Sequence, residues 1–275
     1  MKFGTTNRMF SYYGDQNYHK MKEMGFDYAD YAINGELNGK TEEEYEAEVL
    51  AEKALAEEAG VTIWQVHGPW RYPPHDETPE LRAERAEVMR RSIRLTALIG
   101  CKNWVIHPLM PFGHMADFDT EQFWQINLDF FRALLPYAKE HDVTICFENM
   151  PMKGLSMSTT EKTLEFIHMI NDDHFKLCLD TGHEAVFGTS VGDAVRLAGK
   201  DLRVFHIHDN DGKRDQHWIP CTGVIDWKDF YKAVKEIGFD GVLSLETNFN
   251  NFLPGASPDG KANALKAILE DITAE

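Results

Sequence analysis

Cysteine is scarce in this chain and never closely spaced. Cys101, Cys146, Cys178 and Cys221 are the four in 275 residues, and none forms a C-x-x-C pair. That pattern excludes a disulfide-stapled scaffold and reads as reduced core residues of a cytoplasmic protein. Long apolar runs are missing too: no stretch approaches the roughly 18 residues needed to span a bilayer. The start, Met1-Lys2-Phe3-Gly4-Thr5-Thr6-Asn7, lacks an apolar signal segment. Positive charge is in short supply, with 28 Lys and Arg against 45 Asp and Glu and a formal net charge of −17. Nucleic-acid binders draw much of their affinity from phosphate neutralisation, so this balance argues against nucleic acid and for a small-molecule substrate. Gly4-Thr5-Thr6-Asn7 is not a Gly-rich phosphate loop, which counts against a doubly wound open sheet. With no linker, low-complexity tract or charge block, the span 1–275 reads as a single domain.

What is present is a regular alternation. Hydrophobic residues make up 43% and charged residues 27%, an ordinary globular mix that argues against disorder. Strand-like segments lie near 2–7, 26–32, 62–68, 103–108, 143–149, 176–181, 203–209 and 242–247. Helical patterns run between them, over 17–24, 41–59, 79–99, 120–140, 159–171, 191–199, 227–237 and 260–273. Thr78-Pro79-Glu80 is a helix start signal, because proline suits the first turn. Gly25, Gly60, Gly100 and Gly238 follow helical patterns where a left-handed cap is expected. Strand then helix, about eight times over, predicts an α/β fold of the single (β/α)8 TIM-barrel type.

Six of the apolar runs finish in a residue able to hold a metal: His67, His107, Glu148, Asp180, His206 and Glu246. A parallel barrel gathers its strand ends at one face, so these residues meet there. Strand alternation puts Ile63, Gln65, His67, Asn103, Val105, His107, Thr144, Cys146, Glu148, Lys176, Cys178, Asp180, Val204, His206, His208, Val242, Ser244 and Glu246 on one parity. That mixed set is expected inside the barrel. The opposite parity, including Trp64, Val66, Trp104, Ile106, Phe147, Leu179, Phe205 and Leu245, is uniformly apolar and is expected under the outer helices.

Glu148, Asp180, His206 and Glu246 form the inner set. Carboxylates and an imidazole suit Mn2+, Mg2+, Co2+ or Zn2+, and without a cation such closely placed carboxylates repel. A second set, His67, His107, His183, His208, Asp215 and His217, would hold additional metals or orient a polyhydroxy substrate. A solitary histidine or acid of this kind is more often a polar surface residue or a salt-bridge partner; convergence at one face is what sets these apart. Arg214 is a candidate for holding a substrate hydroxyl or phosphate. Trp70, Phe112 and Trp218 are candidates for covering an apolar sugar face, with ordinary loop packing as the competing reading. The run Asn248-Phe249-Asn250-Asn251-Phe252 is a candidate for shaping the pocket or a subunit contact.

His67-Gly68-Pro69, His107-Pro108, Cys146-Phe147-Glu148-Asn149, Leu179-Asp180-Thr181-Gly182-His183, Phe205-His206-Ile207-His208-Asp209 and Leu245-Glu246-Thr247 follow one another along nearly the whole chain. In this order the chain resembles the xylose isomerase-like barrel superfamily, which includes sugar phosphate isomerases/epimerases and endonuclease IV. By resemblance to the tagatose and psicose 3-epimerases, Glu148, Asp180, His206 and Glu246 would bind one divalent metal. Glu148 and Glu246 would also be the catalytic acid/base pair, and His183 would contact substrate oxygens. His206 is preferred to His208 as the ligand because the family reads His-x-x-Asp or His-x-x-Glu; both share one parity, and the choice stays open. Relatives are often dimers or tetramers, so a homo-oligomer is compatible with the resemblance.

The resemblance implies a divalent-metal-dependent sugar or sugar-phosphate isomerase/epimerase working through proton abstraction and an enediolate. The alternative is a zinc-dependent phosphodiesterase or apurinic endonuclease of the endonuclease IV type. All nine of that enzyme's ligand types have counterparts here, at His67, His107, Glu148, Asp180, His183, His206, Asp215, His217 and Glu246. Strong acidity and Leu109-Met110 after His107-Pro108, where the nuclease has Gly-Ser, stand against it. A third reading, from another class, is a non-catalytic sugar sensor that kept the barrel.

Overall fold

The computed structural model describes residues 2–71, 73–247 and 253–274; the run 248–252 lies outside the described residues. Strands occupy Lys2–Thr6 (β1), Tyr28–Ala32 (β2), Thr62–His67 (β3), Asn103–Ile106 (β4), Thr144–Glu148 (β5), Phe175–Asp180 (β6), Leu202–His206 (β7) and Val242–Leu245 (β8). All neighbouring pairs from β8 through β1 to β7 are parallel. The last gap closes where the Ile207 N–H donates to Ser244 O at 2.8 Å and the Glu246 N–H donates to Ile207 O at 3.0 Å. The sheet is therefore a nearly closed (β/α)8 barrel, as the alternation predicts.

Helices fill the connections at Asn17–Glu23 (α1), Glu42–Glu58 (α2), Pro79–Leu98 (α3), Thr120–Glu140 (α4), Thr160–Ile170 (α5), Thr181–Val186 (α6), Val191–Ala198 (α7), Trp227–Glu236 (α8) and Pro258–Ile272 (α9). Side-chain caps start most of the long ones: Thr78 Oγ1 accepts from the Leu81 N–H, and Thr41 with Glu44 forms a reciprocal capping box. Gly60 and Gly100, at φ 68° and 89°, end α2 and α3 in the left-handed conformation expected of them. Three elements go beyond the sequence reading: 3-10 segments over Asn7–Gln16 and Gly199–Asp201 and the short helix α6. Helix α6 springs directly from β6, with Asp180 as its N-cap. No helix among the described residues is long and apolar enough to cross a membrane.

The two strand faces separate as alternation requires. Val66, Trp104, Phe147, Leu179, Phe205 and Leu245 belong to the main core between sheet and helices, where Phe147 lies 5.1 Å from Phe131 and 4.8 Å from Phe166 between ring centroids. Val105, Cys146, Cys178 and Val204 form a separate small core inside the barrel, with Trp64 packed against it. Trp64 and Ile63 thus exchange the faces expected of them. The cause is a register shift between β2 and β3: Ala29 pairs with Ile63, but Asp30 pairs with Gln65, so Trp64 is the extra residue of a bulge. Cys221 is also corrected. It is exposed, whereas Cys101, Cys146 and Cys178 are buried free thiols.

Gly68, directly after His67, is held by close approach. A Cβ there would lie 2.7 Å from the Trp104 indole, which is fully buried and donates through Nε1 to Ser92 Oγ at 2.8 Å. Gly68→Ala should therefore cost about 1–3 kcal/mol of stability, in the range of core overpacking. Urea unfolding measures it, and a variant as stable as the parent would show that the indole can yield.

Candidate active site

The C-terminal ends of the strands open into a cavity of about 1130 Å³. Of the inner set Glu148 and Glu246 line it, and Asp180 and His206 lie fully buried next to them. Ligand atoms of Glu148, Asp180, His206 and Glu246 all lie within 4.8 Å of one another. His206 Nδ1 is 2.9 Å from Glu148 Oε1 and 3.2 Å from Glu246 Oε2. Asp180 turns one oxygen to the His183 N–H at 2.6 Å and the other to His208 Nε2 at 3.0 Å. Its backbone is clamped by Asn149, whose Oδ1 accepts from the Asp180 N–H at 2.7 Å and whose Nδ2 donates to Asp180 O at 3.1 Å. Glu148, Asp180 and His206 are buried, while Glu246 is partly open to the cavity.

Two further clusters flank this one. On one side His107 Nε2 lies 3.0 Å and His67 Nε2 3.9 Å from Glu148 Oε2. Glu148 Oε2 is nevertheless buried without a hydrogen-bond partner, and so is the other ring nitrogen of His107, Nδ1. Trp70 stands edge-on to His107 with centroids 4.6 Å apart and lines the cavity. On the other side Asp215 lies 3.4 Å from His183 Nε2, 3.2 Å from His217 Nε2 and 3.5 Å from His208 Nε2. Backbone carbonyls set two of these tautomers. His183 Nδ1 faces Asn149 O at 2.8 Å and His217 Nδ1 faces Glu246 O at 2.7 Å. A carbonyl can only accept, so both Nδ1 atoms carry hydrogen, and Nε2, turned toward Asp215, is in each ring the nitrogen that could ligate on losing its proton.

His206 and His208 therefore go to different clusters despite their shared parity. Asp209 takes neither path. Its carboxylate accepts from the N–H groups of Asn210, Gly223 and Ile225 and from Trp227 Nε1. It thereby ties down the loop that carries Asp215 and His217. Arg214 does not reach the site: its side chain is 76% exposed and pairs with Asp211 at 3.2 Å. Among the described cavity-lining residues the lysine and arginine are Lys261 and Arg8. Phe112 packs against the main core, and neither it nor Trp218 lines the cavity. Asp30 and Gln65 were not singled out by sequence as parts of the site, although an aspartate in the otherwise uncharged strand Tyr28–Ala32 was a visible signal.

The electrostatics are those of buried carboxylates crowded around imidazoles. Burial works against ionisation of Glu148, yet His206 and His107 hold its carboxyl well below the ordinary range. Burial likewise opposes a charged His206, but Cys178, Glu246, Glu148 and Asp30 push its pKa well above the ordinary value. For His183 and His217 burial is also overcome, mainly by Asp180 and Asp215 in the first and by Asp215 and Glu246 in the second, and both rise to about 10. Metal-free protein must hold protons where a divalent cation would serve. An orphaned carboxylate oxygen, imidazoles fixed in ligating tautomers and a hard-plus-borderline donor set fit such a cation.

The fold and site define a barrel with a carboxylate–imidazole centre at its C-terminal mouth. The description "xylose isomerase-like TIM barrel" matches residues 18–270, and the chain belongs to that family. It is 25% identical over 201 residues to the D-psicose 3-epimerase of Ruminiclostridium cellulolyticum, a match covering 70% of this chain and 66% of that protein, just short of two thirds. A crystal structure of D-psicose 3-epimerase in the presence of D-fructose superposes with TM-score 0.80 at 18% identity, covering 100% of both chains. A structure of the IOLI protein with a binding zinc atom superposes with TM-score 0.77 at 19% identity, covering 99% of this chain and 98% of that one. At these identities the superpositions show the fold.

Raised histidine pKa values stabilise the fold fully below the unfolded value and lose that contribution as pH rises through the folded value. For His183 and His217 the window runs from 6.5 to about 10. Chelator-treated protein should lose thermal stability across that window, and Asp215→Asn should shrink the loss. A midpoint rising with pH there would contradict these pairings.

Proposed function

We propose that this protein is a divalent-metal-dependent sugar or sugar-phosphate isomerase/epimerase. The observation that carries the reading is the convergence of Glu148, Asp180, His206 and Glu246 within 4.8 Å at the barrel mouth. The kinship with sugar epimerases supports it. In this reading those four residues hold Mn2+, Zn2+, Co2+ or Mg2+, which when bound supplies Lewis acidity toward a carbonyl and its neighbouring hydroxyl oxygen.

The chain's own residues do the rest. In this reading Glu246, partly open to the cavity, and Glu148, buried against the histidines, act as a general base and a general acid. One removes the proton from the carbon next to the carbonyl, giving an enediolate. The other returns a proton, and return to the opposite face inverts that carbon. His183 orients a substrate hydroxyl, and the Trp70 ring, 43% exposed, offers an apolar surface to a sugar face. A phosphate arm, where the substrate has one, meets Arg8 and Lys261 rather than Arg214.

The second reading, a multi-metal phosphodiesterase, draws on the flanking clusters His67–His107–Glu148 and His183–His208–Asp215–His217, each compact enough for one ion. The net charge of −17 weighs against a nucleic-acid substrate.

Two measurements decide. Elemental analysis of native protein should give about one metal per chain; three would favour the hydrolase. Wild-type enzyme in heavy water should take up deuterium at a substrate C–H, and Glu246→Gln should abolish that uptake. Unimpaired uptake in the variant would remove Glu246 from the acid/base pair.

A further inference from the structure

Asp30 is 4% exposed and stands behind the centre. Its Oδ2 lies 3.1 Å from His206 Nε2, on the side of the ring opposite to Glu148 and Glu246. The same oxygen accepts from Gln65 Nε2 at 3.0 Å, and Gln65 Nε2 also donates to Phe205 O at 3.1 Å, one residue before His206. Gln65 and His206 are both fully buried. The β2–β3 bulge makes this arrangement. In unbroken register Asp30 would pair with Trp64; the shift pairs it with Gln65 instead and brings two polar side chains together inside the barrel.

We propose that Asp30, oriented by Gln65, is a positioning residue that keeps hydrogen on His206 Nε2 and so leaves Nδ1 as the nitrogen that ligates the cation. The proposal rests on the reading that the four-residue cluster holds a metal. A carboxylate can only accept, and each ring nitrogen of His206 faces one; a cation held among Glu148, Asp180 and Glu246 would take the place of the hydrogen on Nδ1, while the hydrogen facing Asp30 stays on Nε2. A carboxylate behind a ligating imidazole also fixes the ring and raises its basicity. Asp30 also lines the cavity, but in this role it acts through His206 and contributes to metal retention without ligating the metal.

The test uses Zn2+ alone with the full chain. Asp30→Asn keeps the shape and removes the charge. By the usual cost of losing such a partner, Zn2+ affinity from equilibrium dialysis should fall about 10–100-fold. Turnover should recover at saturating metal, leaving KM for substrate near the parent's. Unchanged affinity in a folded variant overturns the proposal. A readout independent of any variant is 15N-histidine NMR of zinc-loaded wild type. The expected spectrum has His206 with Nε2 protonated and Nδ1 bound; zinc on Nε2 overturns the proposal even if Asp30→Asn fails to fold. If wild type binds no Zn2+, the functional reading falls and takes this inference with it; if it binds and neither signature appears, only the role of Asp30 falls.

Discussion

A carboxylate has no hydrogen to offer another carboxylate. Glu148, Asp180 and Glu246 face one another across a few ångströms with imidazoles between them, and everything else at the barrel mouth answers the resulting surplus of acceptors. Protons on His183, His206 and His217 answer it in the bare protein. In the proposed function a divalent cation would answer it with more charge in less space, and His183, His217 and His206 are each backed by an acceptor, Asn149 O, Glu246 O and Asp30 in turn.

The barrel makes that crowding tolerable. Carboxylates so close would push apart on flexible loops, whereas here each sits at or next to a strand end held by ladder hydrogen bonds on both sides. Asp180 is the clearest example: it ends β6, caps α6 and is clamped through its backbone by Asn149. The rigid outer core of Phe147, Phe131 and Phe166 anchors β5 beneath Glu148. Repulsion among the acids is thus met by the packing of the whole domain rather than by local contacts.

Much of this was legible in the chain. Alternating periodicity located all the strands, because a residue's face follows from counting by two, and the strand-end residues of the inner set meet as their parity requires. Parity failed where counting was interrupted. The bulge at Trp64 reversed two residues, and nothing in Thr62-Ile63-Trp64-Gln65 announces it, since a bulge is set by what the neighbouring strand must match. Arg214 failed for a different reason: a cation near a motif seeks its nearest carboxylate, and Asp211 is three residues away.

Sequence alone determined the barrel, the mouth residues and their chemical type, since those follow from local periodicity and from which side chains can bear charge. Tertiary structure decided which histidine serves which cluster, which nitrogen of each ring points inward, and that Asp30 belongs to the centre at all. His206 and His208 are two residues apart and indistinguishable by pattern; only the closure of β7 against β6 and β8 sends one to Glu148 and Glu246 and the other to Asp180 and Asp215. Partnerships between residues separated by 176 positions, such as Asp30 and His206, leave no local trace, because they depend on distances set by the whole folded chain.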